Sequence, residues 1–146
     1  MLNLKVKKLH PDAILPKRCS NKAACWDIYS VEDVYFNTTW PNLKSVSTGL
    51  AFEIPEGYRM SIRPRSGLAF KKTITVANSP ATIDEDYRGE IKIGLIQFHY
   101  DGYFMLTKGS RIAQICLEKV EEFKLEVVEE LSDTERGDGG FGSTGV

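Results

Sequence analysis

Hydrophobic and polar residues alternate along much of the chain, and this two-residue period predicts β-strands rather than helices. The alternation, or a run of β-branched and aromatic residues, covers residues 2–8, 46–54, 58–63, 90–98 and 112–120. Residues 123–128 alternate in the same way, with Phe123, Leu125 and Val127 on one face, and are predicted as a further strand. Many short strands at regular spacing favour an all-β fold, either a sandwich, a barrel or a jelly roll.

Other residues predict the connections between these strands. Pro55, Glu56 and Gly57 stand between two strand-like segments, which indicates a hairpin turn. Helical spacing is limited to residues 66–71, which can form a turn or two with Ser66 as the N-cap. The helix content is therefore expected to be small.

The composition changes over the C-terminal residues, from Ser132 onward. This segment is polar, lacks an apolar period and holds a cluster of the chain's 12 glycines, namely Gly137, Gly139, Gly140, Gly142 and Gly145. Such a segment is either disordered or ordered by a ligand that it binds. We therefore predict one β domain over residues 1–131 and a flexible glycine-rich C-terminal arm over residues 132–146.

The length and charge of the chain exclude several classes of protein. At 146 residues it has room for about one domain. Lysine and arginine number 19 against 20 acidic residues, and the net charge of −1 excludes a strongly basic face for nucleic acid. No apolar stretch approaches the ~20 residues of a membrane helix. We therefore expect no nucleic-acid partner, no membrane partner, and a cytoplasmic location, or the host cytoplasm for a viral copy.

The cysteines and histidines are too scattered for a metal centre. Cys19, Cys25 and Cys116 are an odd number at unrelated spacings, which fits neither a disulfide framework nor a zinc site. We therefore expect reduced thiols in a cytosol-like compartment. His10 and His99 stand alone, so a histidine-based metal site or nucleophile cluster is excluded.

Five polar motifs carry the candidate chemistry. In chain order they are AACWDIYS from Ala23, PRSG from Pro64, NSPATIDEDYRG from Asn78, GSRIAQ from Gly109 and RGDGGFGSTG from Arg136. Each motif taken alone also has a plain structural interpretation. In the same order, these are a buried aspartate with hydrogen-bond partners, a common turn, a solvated acidic turn, a polar-edged strand and a disordered tail.

The last motif has chemistry that suits a nucleoside phosphate. Its glycines leave backbone N–H groups free to converge on an anion, and Arg136, Ser143 and Thr144 add further donors. Phe141 adds a ring that can stack on a base. In PRSG, Arg65 lies just before a predicted helix start, whose free N–H groups favour anions.

The acidic residues suggest two further roles. Asp84 is one of four carboxylates within seven residues, and a carboxylate beside a bound phosphate can take a proton from water and aim that water at phosphorus. Asp27 lies in an apolar run and needs partners, because an unpaired buried charge is costly. A hydrogen-bonding role and a role beside a metal-bound water are both open for Asp27.

Taken together and in order, the five motifs resemble those of the homotrimeric, all-β dUTPases, the deoxyuridine 5'-triphosphate nucleotidohydrolases. The resemblance spans residues 23–145, and the second, third and fifth motifs are highly specific in combination. It implies a jelly-roll-like β-barrel, three chains that share active sites, and hydrolysis of dUTP to dUMP and pyrophosphate at the α-phosphorus. This reaction would lower dUTP and supply dUMP for thymidylate synthesis. Mg²⁺ is the implied cofactor, because the triphosphate chelates it.

The resemblance also implies roles for individual residues. Asp84 corresponds to the carboxylate that activates the water, Tyr87 to the ring beneath the deoxyribose, and Asp27 to an aspartate that meets Mg²⁺ through water. Asn78 and the backbone of residues 82–84 would form a β-hairpin pocket for uracil. The arm would close over the nucleotide, and another subunit would supply part of the phosphate site. The implied substrate-binding set is Arg65, Ser66, Gly67, Asn78, Thr82, Ile83, Asp84, Tyr87, Lys92, Gln114, Arg136, Phe141, Gly142, Ser143 and Thr144.

Several positions depart from the family pattern. Cys25 and Trp26 are bulkier than usual, Ala81 replaces a glycine of the uracil hairpin, and Ser110 replaces an aspartate that would pair with Arg111. Two alternatives to a dUTPase stay open: a deaminase of dCTP with a related fold, and a non-catalytic nucleotide sensor on the same scaffold. The IDEDYRG sequence and the aromatic residue of the arm favour the hydrolase.

Overall fold

The fold is almost entirely β-structure. A computed structural model describes residues 2–37, 42–98 and 103–140. Its strands are β1 (Lys5–Lys8), β2 (Trp26–Tyr29), β3 (Val34–Phe36), β4 (Leu43–Ser47), β5 (Leu50–Glu53), β6 (Tyr58–Arg63), β7 (Ile74–Val76), β8 (Ala81–Ile83), β9 (Lys92–Gln97), β10 (Phe104–Leu106) and β11 (Arg111–Lys119), and its helix is α1 (Ser66–Lys72). The predicted all-β class is confirmed.

The strands form two larger and two smaller antiparallel sheets. The larger sheets have the strand orders β2-β11-β6-β8 and β4-β9-β7, and the smaller ones pair β1 with β5 and β3 with β10. Most neighbours within a sheet are far apart in sequence, because the chain repeatedly crosses from one sheet to another. This arrangement is that of a jelly-roll-like fold.

The apolar faces of the two larger sheets form the core. Met60, Ile62 and Ile115 come from one sheet and Val46 and Leu95 from the other, and each is at most 3% exposed. Alternate residues of β9 are buried, which is the two-residue period seen in the sequence. Each such side chain stabilises the fold by roughly 1.5–3 kcal/mol.

The short helix follows β6 and begins at Ser66. Arg65 is the N-cap and makes no side-chain capping bond, so the prediction of Ser66 as the N-cap is wrong. The helix buries Leu68 and ends at Lys72, and its C-cap Thr73 has a positive φ of 53°. In the part of the chain that the structure describes, no helix is long and apolar enough to cross a membrane.

Two predictions about strands are wrong. Residues 55–57 join β5 to β6, but β5 pairs with β1 and β6 pairs with β11 and β8, so the expected hairpin does not form. Residues 123–128 are not a strand, and Phe123, Leu125 and Val127 are 81%, 90% and 99% exposed. Alternation gives a segment two unlike faces, but a strand also needs a hydrogen-bonded neighbour, and the described residues supply none here.

The cysteines also differ from expectation. Cys25 and Cys116 form a disulfide, whereas Cys19 is free and exposed. Trp26 and Ile115 are partners in the register of β2 and β11, so the next pair along this antiparallel ladder is the cysteine pair. The register brings two positions 91 residues apart to a Cα–Cα distance of 4.8 Å. The prediction of three reduced thiols is therefore wrong, because spacing along the chain does not reveal strand register.

Candidate active site

A buried aspartate organises the first group of predicted site residues. Asp27 lies on β2 and is 1% exposed. Its Oδ1 accepts hydrogen bonds from Arg65 Nε at 3.1 Å and Gln114 Nε2 at 3.2 Å. Its Oδ2 accepts hydrogen bonds from Cys19 Sγ at 2.7 Å and Arg111 Nη1 at 3.2 Å. We call these five residues the Asp27 cluster.

Strand pairing explains why the cluster assembles. Gln114 on β11 is the register partner of Asp27 on β2, and Arg65 follows the end of β6 on the other side of β11. In a regular strand, residues three apart point to opposite faces, which would separate Arg111 from Gln114. The register of β11 shifts directly after Arg111, and this irregularity lets both side chains reach one carboxylate.

The charges of the cluster keep Asp27 ionised. Burial raises the pKa of Asp27, but the hydrogen bond from Cys19, the charge of Arg65 and the hydrogen bonds from Arg111 and Gln114 together hold the pKa below its ordinary value of 3.8. Two guanidinium groups share this one carboxylate, and the side chains of Arg65 and Arg111 are 21% and 45% exposed. The cluster therefore presents net positive charge to solvent, which suits an anionic ligand.

Arg111 has a charge partner even though position 110 holds a serine. Arg111 pairs with Asp27, and this hydrogen bond is the main reason that the pKa of Arg111 is raised. Ser110 instead uses its backbone, because its C=O accepts a hydrogen bond from Ser30 N–H at 3.0 Å. The departure from the family motif at this position is thus compensated within the chain.

The start of α1 lies next to the cluster in sequence. The Arg65 C=O accepts hydrogen bonds from the N–H groups of Leu68 and Ala69, each at 3.0 Å. The N–H groups of Ser66 and Gly67 precede the first intrahelical bond. Both residues are exposed, and a Cβ built on Gly67 would meet no atom within 4 Å. These two donors are open to solvent, as their predicted phosphate-binding role requires.

A second group of predicted residues lines a surface pocket of about 450 Å³. The pocket is formed by Ile83, Tyr87, Glu90, Ile91 and Lys92. Tyr87 Oη donates a hydrogen bond to the Glu90 C=O at 3.1 Å. A Cβ at Gly89 would lie 2.4 Å from the Tyr87 hydroxyl, so only glycine leaves room for this placement of the ring. Lys92 lies at the pocket edge, with its Nζ 3.8 Å from Glu90 Oε2.

The acidic turn divides its carboxylates into two kinds. Glu85 and Glu90 each accept a hydrogen bond from a backbone N–H of another turn, at 2.7 and 2.9 Å. Asp84 and Asp86 are exposed, and neither carboxylate has a hydrogen-bond or ion-pair partner in the described ranges. Asp84 directly follows Ile83, which lines the Tyr87 pocket. The carboxylate predicted to be catalytic is thus free and lies beside the pocket in sequence.

The residues predicted to bind uracil lie on β8 and in the turn that leads into it from the other larger sheet. Thr82 and Ile83 are on β8, which pairs with β6, and Asn78 is in the turn between β7 and β8. Because β7 pairs with β9 in the other sheet, the structure has a crossover here where a paired β-hairpin was expected. Ala81 has no positive φ, so its replacement of glycine introduces no backbone strain.

The C-terminal arm is described only as far as residue 140. The last strand ends at Lys119, and Arg136 lies in a turn where its Nε donates a hydrogen bond to the Gly139 C=O at 2.8 Å. Outside the described residues lie the predicted ligands Phe141, Gly142, Ser143 and Thr144. Their roles, and the division of the chain at residue 131, stay predictions.

The two groups of site residues include strands of the same sheet but, among the described residues, make no direct polar contact. Across the described ranges, no hydrogen bond or ion pair joins the Asp27 cluster to the residues of the Tyr87 pocket. Sequence reasoning missed Cys19 as a partner of Asp27 and Glu90 as a backbone anchor. Cys19 lies outside the five motifs, eight residues before Asp27, whereas Glu90 contacts Gly49, 41 residues away along the chain.

No resident metal site is evident in the described part of the chain. No group of three or more His, Cys, Asp or Glu side chains is placed there to hold an ion. Each carboxylate oxygen of Asp27 already accepts two hydrogen bonds. Of the two roles that the sequence left open for Asp27, the structure therefore shows the hydrogen-bonding role. The role beside a metal-bound water stays a prediction.

Comparison with known proteins decides the family. A family model described as dUTPase matches residues 11–145. The chain belongs to the dUTPase family. It is 53% identical over 144 residues to a deoxyuridine 5'-triphosphate nucleotidohydrolase of Nautilia profundicola, with 99% of each chain covered. A protein of the same description from a Hydrogenobaculum species is 52% identical over 147 residues, again with 99% of each chain covered.

Solved structures agree with this assignment. A mutant of the Staphylococcus bacteriophage 80alpha dUTPase, in complex with dUpNHpp, matches with a TM-score of 0.90 and 29% identity over 100% of both chains. The predicted jelly-roll-like fold and the predicted enzyme class are confirmed. This dUTPase hydrolyses dUTP to dUMP, and neither the deaminase nor the non-catalytic alternative is needed.

Proposed function

We propose that Asp84 activates the water that attacks the α-phosphorus of dUTP. The observation that carries this assignment is the division of the acidic turn, in which Glu85 and Glu90 hold backbone N–H groups and Asp84 is free. Asp84 would accept a proton from water while the oxygen bonds to phosphorus. The bond from the α-phosphorus to the bridging oxygen then breaks, and pyrophosphate leaves with the electron pair.

The Tyr87 pocket is the proposed site of the nucleoside. The hydrogen bond to the Glu90 C=O and the contact with Gly89 fix the tyrosine ring, which suits it to support a deoxyribose and exclude a 2'-hydroxyl. Asn78 and the backbone of residues 82–84 would bind uracil, because backbone groups match its carbonyls and N3–H. Cytosine presents the opposite donor pattern and would leave those groups unpaired.

The Asp27 cluster and the start of α1 are the proposed phosphate site. Arg65, Ser66, Gly67 and Gln114 would donate to phosphate oxygens. Support comes from the partly exposed guanidinium groups of the cluster and the two open N–H donors of the helix start. The arm, with Arg136, would close over the bound nucleotide, which excludes water and holds the triphosphate for in-line attack.

Magnesium is proposed to enter with the nucleotide. Enzymes of the dUTPase family typically use Mg²⁺, and triphosphate oxygens chelate the ion while it keeps several waters. The hydrogen bonds that occupy Asp27 and the absence of a metal-ligand group in the described ranges favour Mg–dUTP as the substrate over a resident ion. The residues of this chain then bind and orient the complex, and Asp84 activates the water.

We also propose a homotrimer in which subunits share active sites. In the described residues no hydrogen bond or ion pair joins the two groups of site residues, which suits a site in which one subunit supplies the first group and its neighbour the second. Phe123, Leu125 and Val127 are exposed, and a largely apolar hollow of about 970 Å³ lies between the residues around β1 and those of β11. A contiguous apolar surface that is exposed in one chain typically marks an interface.

The experiment that tests the substrate assignment is pyrophosphate release from dUTP, dTTP, dCTP and UTP, with and without Mg²⁺. We expect release from dUTP in Mg²⁺, little release from the other three nucleotides, and a large loss when the ion is chelated. Ammonia release from dCTP or equal hydrolysis of UTP would contradict the proposed pocket. Full activity after chelation would contradict Mg–dUTP as the substrate.

A further inference from the structure

Cys19 makes two polar contacts in the Asp27 cluster, and the proposed mechanism gives this residue no role. The residue is exposed, in the loop that precedes β2. Its Sγ lies 2.7 Å from Asp27 Oδ2 and accepts a hydrogen bond from Arg111 Nη1 at 2.9 Å. The thiol therefore bridges the carboxylate and one of the two arginines.

The two oxygens of Asp27 have different tasks. Oδ1 binds Arg65 and Gln114, the proposed phosphate ligands, whereas Oδ2 binds Cys19 and Arg111. A carboxylate can turn about its Cα–Cβ and Cβ–Cγ bonds, so the donors on one oxygen set the direction of the other. Arg65 Nη1 also donates to the Arg111 C=O at 3.2 Å, which links both sides of the cluster.

We propose that Cys19 is a positioning residue for the triphosphate site. Its S–H holds Oδ2 of Asp27, so that Oδ1 holds Arg65 and Gln114 in their ligand-binding directions. Loss of the thiol leaves a partly unsatisfied carboxylate that turns toward Arg111, and Arg65 loses its fixed direction. This inference rests on the proposed phosphate roles of Arg65 and Gln114.

The test compares the affinities of Cys19→Ala, Cys19→Ser and a control, Ser20→Ala, for two ligands. The ligands are dUpNHpp, which carries the triphosphate, and deoxyuridine, which carries none. We expect Cys19→Ala to weaken dUpNHpp binding by about 5- to 50-fold, since a hydrogen bond to a charged group is lost. Deoxyuridine binding should change less than twofold. Cys19→Ser should return dUpNHpp affinity toward that of the unaltered chain, because its hydroxyl restores the donor.

Other outcomes separate this inference from the site assignment. Unchanged dUpNHpp affinity in Cys19→Ala, or an equal loss for both ligands, would overturn the positioning role. Wild-type affinity in Arg65→Ala and Gln114→Ala would instead overturn the phosphate site on which the role depends. Iodoacetamide treatment of the folded chain removes the same donor if Cys19→Ala fails to fold, because Cys25 and Cys116 are joined. Unchanged dUpNHpp affinity after complete alkylation would also overturn the inference.

Discussion

The carboxylates of the acidic turn are chemically alike but differ in their hydrogen-bond partners. Asp84 and Asp86 are both exposed and free of hydrogen-bond partners in the described ranges, which makes them a matched pair. We expect Asp84→Asn to lower turnover by roughly 10²- to 10⁴-fold with dUpNHpp binding retained, because only the proton acceptor is lost. Asp86→Asn should stay near wild type. Single-turnover pyrophosphate release measures both, and an active Asp84→Asn would remove this residue from the mechanism.

Gly89 is required by a side chain and not by its own backbone angles. A Cβ here would lie 2.4 Å from the Tyr87 hydroxyl, which lies at the end of a side chain and can move away at the cost of its hydrogen bond to the Glu90 C=O. We therefore expect Gly89→Ala to fold normally but to raise the KM for dUTP about tenfold, the size of one misplaced contact. The preference of the enzyme for dUTP over UTP should also fall. A lowered melting temperature with unchanged KM would show a structural role instead.

The ionised state of Asp27 makes stability depend on acid pH. Because its folded pKa lies below 3.8, the carboxylate contributes stability above about pH 4, and this contribution is lost as pH falls through the folded pKa. In Asp27→Asn, an amide N–H₂ faces the cationic donors, so we expect a loss of about 2–3 kcal/mol near neutral pH. Urea unfolding of both proteins from pH 7 to pH 3 should show the difference shrinking in acid. A constant difference would contradict the assigned charge.

At the scale of elements, alternation along the chain predicts strands well and their partners poorly. Residues 58–63 form β6 with the predicted bounds, because burial of one face sets the pattern. Residues 123–128 have the same pattern but no partner strand among the described residues, and residues 55–57 join strands that lie in different sheets. The disulfide depends on the register of β2 and β11, and the contact of Arg111 with Asp27 depends on a bulge in β11. Neither has a signature in residue order.

The C-terminal arm permits a direct test at the same scale. Truncation after Glu135 removes Arg136 and every later residue, none of which belongs to the described core. We expect a folded protein with little activity, since the arm contributes closure and not packing. Circular dichroism and pyrophosphate release measure the two properties, and removal of Val146 alone serves as the control. An unfolded truncation, or one with full activity, would contradict this role.

At the scale of the whole molecule, the exposed apolar residues after β11 support the proposed interface between subunits. We expect Leu125→Asp to reduce the trimer population and the activity together, because burial of an unpaired charge at an interface costs several kcal/mol. Lys124→Asp introduces the same carboxylate at the next position and should leave assembly intact. Light scattering with size-exclusion chromatography measures both variants. A trimeric Leu125→Asp variant would place the interface elsewhere.

The bond between Cys25 and Cys116 gives the polypeptide the topology of a ring with two free ends. The ring contains Arg65, Asp84 and Gln114, whereas Cys19 and the C-terminal arm lie on the ends outside it. Closing a ring of this size lowers the entropy of the unfolded chain, which in the chain-entropy account stabilises the fold by about 4–5 kcal/mol. One proteolytic cut between the two cysteines would therefore leave a single band on a non-reducing gel and two fragments after reduction.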